Sequence, residues 1–386
     1  MSFDFEAVDR SGTYTTKYDD AALKFGTNDL LPLWVADMDI ASASCVQEAM
    51  QRRAAHPIYG YTTYPDRYFE AIESWYLRRY GWRIDRSWIV PCYGVVPSMN
   101  FAIEALSRKG DGIIVQTPIY PPFVASVKHR GRKVLENRLR LTPEGYRIDF
   151  EDFEAKAKEA TMFLFCSPHN PTGRVWSEAE IERLTDICAR YDITIVSDEI
   201  HADIVFDTLF RTVGSFEKAK ERCVVLHAPS KSFNIAGLNT SFAIIPNGRI
   251  RRAFTVEQNR SGITNGNPFG IEALIFAYES GEAWLESLMR HLKKNRSFVD
   301  AFFKASDFPV TPVWGEATFL VWLDCRKMGV SQKELTDFFV QKAKLGLNSG
   351  TDFGKDGEGF MRMNIGTSRP ILETAMRRLS DAYGEG

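Results

Sequence analysis

The sequence predicts an α/β fold with two structural units, a large one with a mainly parallel sheet flanked by helices and a smaller α+β one. Three observations predict it. The 386 residues exceed the size at which a single core stops growing. Short β-branched and aromatic runs alternate with segments of helical period between about residues 85 and 245. The chain then changes character after a charged helical stretch near residues 282–304.

The large unit contains the alternating pattern. Its predicted buried strands are residues 112–115, 162–166, 193–197, 223–227 and 241–245. Between two of them, Ser177 followed by Glu180 forms a capping box, which predicts a helix running towards Tyr191. Strands separated by helices are typical of a parallel sheet, so we expect all of these strands to belong to one.

The smaller unit is predicted from the C-terminal third of the chain. Strands are expected at residues 319–323 and 360–365, a second capping box at Ser331 and Glu334, and a final helix from about Ile371. We therefore divide the chain into a large domain of residues 45–285 and a second unit of residues 1–44 with 286–386. No Pro/Gly-rich linker separates the two units, so they should pack tightly against each other.

Composition and charge limit the kinds of molecule that the protein is expected to bind. A net charge of -2 provides no electrostatic footprint for nucleic acid or for an anionic membrane surface. The six cysteines are scattered without the close pairs of a zinc or redox site. The N-terminal residues lack the apolar stretch of a signal peptide, and no apolar run approaches membrane-spanning length. We expect a cytoplasmic protein without metal whose partners are small molecules or a second copy of the chain.

Polar residues directly after the apolar strands are the candidates for chemistry, because ligands of open α/β sheets sit beyond the carboxyl ends of the strands. Asn170 lies in a turn rich in proline and glycine after the strand at 162–166, Asp198 ends the next strand, and Lys231 follows the strand at 223–227. Each feature alone is usually only a turn, a cap or a surface residue. The ordered set predicts an amine and a carboxylate at one edge of the sheet.

At these positions the chain resembles the class I and II aminotransferase family of fold-type I pyridoxal-phosphate enzymes. Within that family it looks most like the cystathionine β-lyase and cysteine-conjugate carbon-sulfur lyase subgroup. The matching segments are LWVADMD at 33–39, YGY at 59–61, CSPHNPTGRVW at 166–176, SDEIH at 197–201 and SKSFNIAGL at 230–238. The resemblance covers nearly the whole chain, and it implies a fold-type I architecture.

The resemblance implies the residues that hold pyridoxal 5'-phosphate. Lys231 would bond covalently to the cofactor aldehyde, Asp198 would pair with the ring nitrogen, Asn170 would bond the phenolic oxygen, and Tyr120 would stack on the ring. These residue types suit the chemistry, because a lysine amine is readily deprotonated when buried and an anionic aspartate favours a protonated ring nitrogen. Lys231, Asp198 and Tyr120 are therefore the expected catalytic residues.

The cofactor phosphate needs hydrogen-bond donors. Gly94 forms a turn before an apolar-periodic segment, which places free backbone N–H groups and a helix dipole at an anion site. The motif is weak by itself, since many glycine turns open helices without binding anything. The resemblance adds Val95, Val96 and Ser230 to the phosphate site, and Tyr61 from the other subunit, which implies a homodimer with a shared active site.

Two departures from the broad family pattern favour the lyase subgroup. Asn239 stands where many relatives have a phosphate-clamping arginine, and His201 stands where they have a tyrosine near the ring oxygen. We interpret His201 as a histidine bonded at the base of the pocket rather than as a catalytic acid.

An arginine is needed for the α-carboxylate of an amino-acid substrate, because its planar fork provides two donors. The chain offers Arg362 and Arg369. We chose Arg369, which precedes Pro370 and the last helix as in the family pattern, because Arg362 sits closer to a strand interior. Ala36 and Asp37 are expected to pass close to the same carboxylate.

The expected reaction is α,β-elimination of cystathionine or another cysteine S-conjugate to a thiol, pyruvate and ammonia. The same residues would serve an aminotransferase of aromatic or sulfur amino acids, so this alternative stays open. A regulatory protein that uses the fold without catalysis is a further alternative, and the intact set of Asn170, Asp198, Lys231 and Arg369 counts against it.

Overall fold

The computed structural model describes Phe3, residues 5–263 and residues 265–384 of the chain. Its strands, in chain order, are β1 (Leu31–Pro32), β2 (Ile89–Cys92), β3 (Gly112–Thr117), β4 (Lys133–Arg138), β5 (Arg140–Thr142), β6 (Gly145–Arg147), β7 (Ala160–Cys166), β8 (Thr194–Asp198), β9 (Cys223–His227), β10 (Ser241–Ile244), β11 (Thr311–Val313), β12 (Leu320–Asp324), β13 (Leu345–Gly346), β14 (Asn348–Ser349) and β15 (Phe360–Asn364).

The helices of the described chain pack around these strands. In chain order they are α1 (Thr16–Asp19), α2 (Ala21–Phe25), α3 (Ser44–Ala55), α4 (Asp66–Tyr80), α5 (Val95–Leu106), α6 (Pro121–His129), α7 (Phe150–Ala157), α8 (Glu178–Arg190), α9 (Glu217–Lys220), α10 (Gly248–Arg260), α11 (Pro268–Ser280), α12 (Glu282–Ala305), α13 (Gln332–Asp337) and α14 (Arg369–Gly384). Both predicted capping boxes are present, at the starts of α8 and α13. The charged stretch after residue 281 forms α12, as predicted.

The central sheet of the described chain has seven strands in the order β2-β10-β9-β8-β7-β3-β4. The strands from β9 to β4 run parallel to one another. The prediction of a mainly parallel sheet is therefore confirmed.

Both faces of this sheet are buried. Along β7, Phe163 and Phe165 pack into one apolar cluster, whereas Met162 and Leu164 pack into a second cluster on the opposite face. Near-continuous apolar strands of this kind are typical of parallel sheets covered by helices on both sides. The carboxyl edge of the sheet thus rests on a rigid scaffold.

One predicted strand has the wrong direction in our sequence analysis. Residues 241–245 were assigned to the parallel sheet, but β10 runs antiparallel to both of its neighbours, β9 and β2. A parallel connection needs a crossover, usually an α-helix, that returns the chain to the opposite end of the sheet. Between β9 and β10 the chain forms only a turn and one 3-10 turn, Ala236–Leu238, so the chain reverses beside β9.

The C-terminal part builds a second sheet of four described strands in the order β11-β12-β15-β14, all antiparallel to their neighbours. Strands β12 and β15 correspond to the predicted ones at 319–323 and 360–365. Near the N-terminus, β1 pairs with β13 of the C-terminal part. This pairing agrees with grouping residues 1–44 with 286–386, although the division at residues 45 and 285 stays a prediction.

Candidate active site

A cavity of about 310 Å³ lies at the carboxyl ends of β7, β8 and β9, against the first turn of α5. It is lined by Ala36, Tyr93, Gly94, Val95, Val96, Pro97, Tyr120, Cys166, Asn170, Asp198, Ile200, His201, Ser230, Lys231, Ala236 and Asn239. Most residues selected from the sequence therefore meet in one place. Tyr61, Asp37 and Arg369 do not line it.

Lys231 projects into this cavity from the turn that follows β9. Its Nζ donates a hydrogen bond of 2.7 Å to the backbone oxygen of Ala36. Burial lowers the pKa of the amine to about 8, the charge of Arg362 lowers it too, and the carboxylates of Asp37 and Asp198 act in the opposite direction. A sizeable fraction of the amine is consequently unprotonated near neutral pH, as a nucleophile or base requires.

Asp198 is the last residue of β8, and its side chain is almost completely buried. Burial raises the pKa of its carboxyl to about 6, while a 3.1 Å hydrogen bond from the Ile200 amide and the positive charges of His227 and Lys231 oppose that rise. A buried carboxylate of this kind seeks a cationic partner. Asp198 lines the cavity, which has room for such a partner.

Asn170 is held in the loop after β7. Its backbone oxygen accepts a hydrogen bond of 3.0 Å from the Tyr120 amide, and its Oδ1 accepts one of 3.1 Å from Arg362. The side-chain amide of Asn170 is thus oriented with its nitrogen free to donate into the cavity. Tyr120, which precedes α6, lines the same cavity.

Arg362 is the cationic residue that the sequence analysis rejected. Its side chain, in the middle of β15, is only 4% exposed. Besides Asn170, the guanidinium donates to the backbone oxygen of Trp34 at 2.9 Å and to Oδ1 of Asn348 at 2.7 Å. Its Nε is buried without a hydrogen-bond partner among the described residues. Burial lowers the pKa of Arg362 to about 10, so it stays a cation at neutral pH.

Arg369 is in the wrong place for the role that the sequence analysis assigned to it. It begins α14, its guanidinium lies 4.3 Å from the centre of the Phe298 ring, and it donates to the backbone oxygen of Lys294. It lines a surface depression with Glu373 instead of the cavity that contains Lys231. The helix start turns this side chain away from the large domain, whereas strand β15 directs Arg362 towards it. An arginine between Met361 and Met363 in a buried strand was the signal that could have found Arg362, since a buried cation needs a partner.

The segment around Ala36 crosses the cavity as expected, but Asp37 points elsewhere. Asp37 forms a two-fold ion pair with Arg10, at 2.7 and 2.9 Å. The backbone of the segment is fixed by Asn364, whose side-chain amide donates to the oxygens of Val35 and Asp37 at 2.6 Å each. The Ala36 carbonyl is therefore held against the Lys231 amine from the side of the second sheet.

A second set of contacts fixes the same segment from the N-terminal side, and the sequence analysis missed it. Lys17 and Asp39 are buried and form an ion pair. The Nζ of Lys17 lies 2.9 and 2.8 Å from the two carboxylate oxygens of Asp39. The indole of Trp34 donates to the backbone oxygen of Lys17. Charged residues so near the N-terminus looked like surface residues in the sequence, because nothing local shows that they become buried.

The first turn of α5 closes the opposite end of the cavity. Gly94 is its N-cap with φ +125°, a conformation that favours glycine. The sequence predicts that the Gly94 amide is free to bind an anion. In the structure this amide donates to Oγ of Ser241 at 2.6 Å, so it is not free for that role. Val95 and Val96 are the first residues of the helix, so their backbone amides have no hydrogen-bond partner within the helix. Ser230 lines the same cavity. This end of the cavity suits a bound anion.

His201 lines the cavity, and its expected hydrogen bond at the base of the pocket stays a prediction. Burial lowers the pKa of its imidazole to about 3, with further lowering by the charges of Lys231, Arg362 and His227. The ring is therefore neutral, and its Nδ1 is buried without a partner among the described residues. Asn239 also lines the cavity, and its side-chain amide donates to the backbone oxygen of Gly237 at 3.4 Å.

Tyr61 projects away from this cavity in the single chain, with 97% of its surface exposed. Within the described parts of the chain, no cluster of three or more His, Cys, Asp or Glu side chains could hold a metal ion. Nor does any helix there combine the length and apolar composition needed to span a bilayer.

Known proteins share this architecture. The family model for aminotransferase class I and II matches residues 22–379. Cystathionine β-lyase PatB of Bacillus subtilis (strain 168) is 37% identical over 99% of this chain and 100% of that protein, and protein MalY of Escherichia coli (strain K12) is 33% identical over 98% of each. Cystalysin from Treponema denticola, whose crystal structure contains a pyridoxal 5'-phosphate cofactor, matches with a TM-score of 0.95 at 32% identity over all of both chains. These similarities confirm the fold-type I architecture, and the chain belongs to the class I and II aminotransferase family.

Proposed function

We propose that this protein is a pyridoxal-phosphate-dependent carbon-sulfur β-lyase that acts on cystathionine or other cysteine S-conjugates. The observation that carries the proposal is the buried Lys231 amine, with its pKa lowered to about 8, in one cavity with Asp198. Because two of the relatives are named cystathionine β-lyases, we favour this reaction over the others that the family performs.

The cavity fits pyridoxal phosphate by the chemistry of its donors. An aldehyde needs an unprotonated primary amine, which Lys231 offers, and a pyridinium nitrogen needs a buried carboxylate, which Asp198 offers. The amides at the start of α5 and the Ser230 hydroxyl can hold a phosphate at the far end. When bound, the cofactor acts as an electron sink for negative charge that develops on the substrate Cα.

The residues of the chain would then divide the remaining work. Arg362, whose Nε has no partner among the described residues, would bind the substrate α-carboxylate. Asn170, which already bonds Arg362, would keep that fork next to the cofactor ring. The carboxylate of the amino acid and the ring would thus be oriented by one connected pair of side chains.

Lys231 would move the protons of the reaction. Its Nζ takes the proton from the substrate Cα, the Cβ–S bond breaks, and the same Nζ can return the proton to the departing sulfur. The backbone oxygen of Ala36, 2.7 Å from Nζ, would orient the amine between these steps. The remaining three-carbon fragment hydrolyses to pyruvate and ammonia, so atoms and charge balance.

We also propose that the enzyme is a homodimer with a shared active site. The extended segment around Tyr61 exposes large apolar side chains, with Ile58 at 66% and Tyr59 at 58% exposure. Isolated monomers rarely leave such contiguous apolar surface in water, so a second subunit is the expected cover. Tyr61 would then reach the phosphate in the partner. We expect the dimer to work in the cytoplasm, where the six free cysteines would stay reduced.

Product analysis tests this proposal. Wild type and Lys231→Ala should be purified with added pyridoxal phosphate and assayed for thiol and pyruvate release from S-substituted cysteines without an added keto acid. Wild type should release both products, and Lys231→Ala should neither retain a covalently bound cofactor nor turn over. The exposed Lys293→Ala is the matched control and should behave as wild type. Turnover only in the presence of a keto acid would identify an aminotransferase, and borohydride trapping of the cofactor on another residue would overturn the site.

A further inference from the structure

Behind the candidate active site lies a buried charged group that the proposed mechanism does not use. His227, the last residue of β9, is completely buried, and so is the side chain of Asp203. The Nε2 of His227 lies at an ion-pair distance of 3.5 Å from Oδ2 of Asp203 and makes no hydrogen bond among the described residues, and its Nδ1 lies 2.7 Å from the backbone oxygen of Glu199. Both ring nitrogens therefore face oxygens that can only accept hydrogen bonds when Asp203 is ionised.

The contacts of the Asp203 carboxyl favour its ionised form. Its Oδ1 accepts hydrogen bonds from the Tyr80 hydroxyl at 2.5 Å and the Trp75 indole at 3.1 Å, and its Oδ2 accepts one from the Ser232 hydroxyl at 2.7 Å. Burial raises the pKa of Asp203, but His227, the charge of Arg79 and the Tyr80 hydroxyl outweigh burial and hold it at about 2. A buried carboxylate needs a countercharge, and Arg79, 3.9 Å away and shared with Glu282, is a weaker one than His227.

The surroundings of His227 also favour a cation. Its ring is enclosed by the rings of Phe242, Tyr76, Tyr80 and Tyr278, with centroids 5.6 to 6.5 Å away. Burial lowers the pKa of His227, but Asp203 and the Glu199 oxygen act more strongly, so the net direction is upward.

This group is linked to the active site on two sides. Ser232, which bonds Asp203, directly follows Lys231, so Asp203 anchors the turn that carries the reactive amine. His227 follows Leu226, the register partner of Asp198 in the pairing of β8 with β9, and its charge lowers the pKa of Asp198, the carboxylate assigned to the ring nitrogen. We propose that His227 is an imidazolium held by Asp203, and that this buried ion pair is a positioning element that fixes the Lys231 turn and keeps Asp198 ionised. The inference rests on the proposed cofactor site.

The groups that face this ion pair define what a pH titration can report. Strand β8 and the segment after it contribute Asp198, Glu199 and His201. Helix α4 contributes Arg79, Tyr76 and Tyr80, and α11 contributes Tyr278. The turn after β9 contributes Lys231. The pKa values of the tyrosines lie well above their usual value because of burial. Burial raises the pKa of Glu199 to about 7, so a titration should include Glu199→Gln as a reference.

The test uses the holoenzyme and follows the absorbance of the bound cofactor as a function of pH. In His227→Gln the charge of Asp203 is unbalanced behind Lys231, so the titration midpoint should rise by on the order of half a pH unit or more. In the double variant His227→Gln/Asp203→Asn both charges are gone, and the midpoint should return towards wild type. Tyr278→Phe, which removes a hydroxyl from one of the four aromatic rings around His227 without changing a charge, should leave the titration midpoint unchanged.

The results separate an electrostatic role from a packing role. A midpoint that does not move in His227→Gln, or a double variant shifted as far as the single one, overturns the inference. Because His227→Gln can fail to fold, the wild-type holoenzyme labelled with ¹⁵N-histidine provides a second measurement. His227, assigned by elimination, should show two protonated ring nitrogens at pH 8, and a neutral ring there refutes the ion pair. A wild type that binds no pyridoxal phosphate would refute the proposed function instead, and the NMR result would still decide the charge on His227.

Discussion

Replacing Arg362 tests which arginine binds the substrate. The guanidinium is buried and makes three hydrogen bonds of 2.7 to 3.1 Å, and its Nε has no hydrogen-bond partner in the part of the chain that the structure describes. Truncating one partner of a buried charge pair costs roughly 2–5 kcal/mol, so Arg362→Ala should lower kcat/KM for a cysteine S-conjugate by about 10²- to 10³-fold. Arg362→Lys keeps the charge but loses the fork, and an intermediate loss of about 10- to 10²-fold is expected.

The matched control is Arg369→Ala. Its half-buried guanidinium packs on Phe298 and donates to the Lys294 backbone, outside the cavity that contains Lys231, so kcat/KM should change by no more than about twofold. The assay should compare a natural substrate with the same S-conjugate as a carboxamide, because the carboxamide lacks the charge that Arg362 would bind. The loss in Arg362→Ala should largely disappear with the carboxamide. An equal loss with both substrates, or a larger loss in Arg369→Ala, would show that Arg362 does not bind the carboxylate.

Three further predictions follow from the contacts of the site. Because the pKa of Lys231 is lowered to about 8, the rate at which the apoprotein incorporates pyridoxal phosphate should rise up to about pH 8 and then level off, and a rate that climbs to pH 10 would contradict this. Lys17→Met leaves the buried Asp39 with Arg10, at 3.2 Å, as its remaining cation and should lower the free energy of unfolding by roughly 1.5–3 kcal/mol in urea titrations, whereas Lys24→Met, at an exposed pair, should cost less than about 1 kcal/mol. Gly315→Ala would place a Cβ 2.1 Å from the backbone of the loop that carries Asn170, so it should lower the urea midpoint together with kcat/KM, and wild-type values for both would refute the close approach.

The sequence by itself determined the sheet and the part of the site that lies at strand ends. Asn170, Asp198 and Lys231 were predicted because each directly follows an apolar strand, and parallel strands bring their carboxyl ends to one edge. The capping boxes at Ser177 and Ser331 are equally local, since each depends on two residues three positions apart. Where a feature depends on neighbours in the chain, the sequence was sufficient.

Only the tertiary structure decided which distant residues meet at that edge. Arg362 and Arg369 differ little in sequence, yet a strand directs one to Asn170 at the cavity wall and a helix start directs the other to the backbone of Lys294. The direction of β10 and the burial of Lys17, Asp39 and His227 likewise depend on contacts between segments far apart in the chain. Such contacts leave no local pattern, because the free energy that buries a charge comes from partners that only folding brings together.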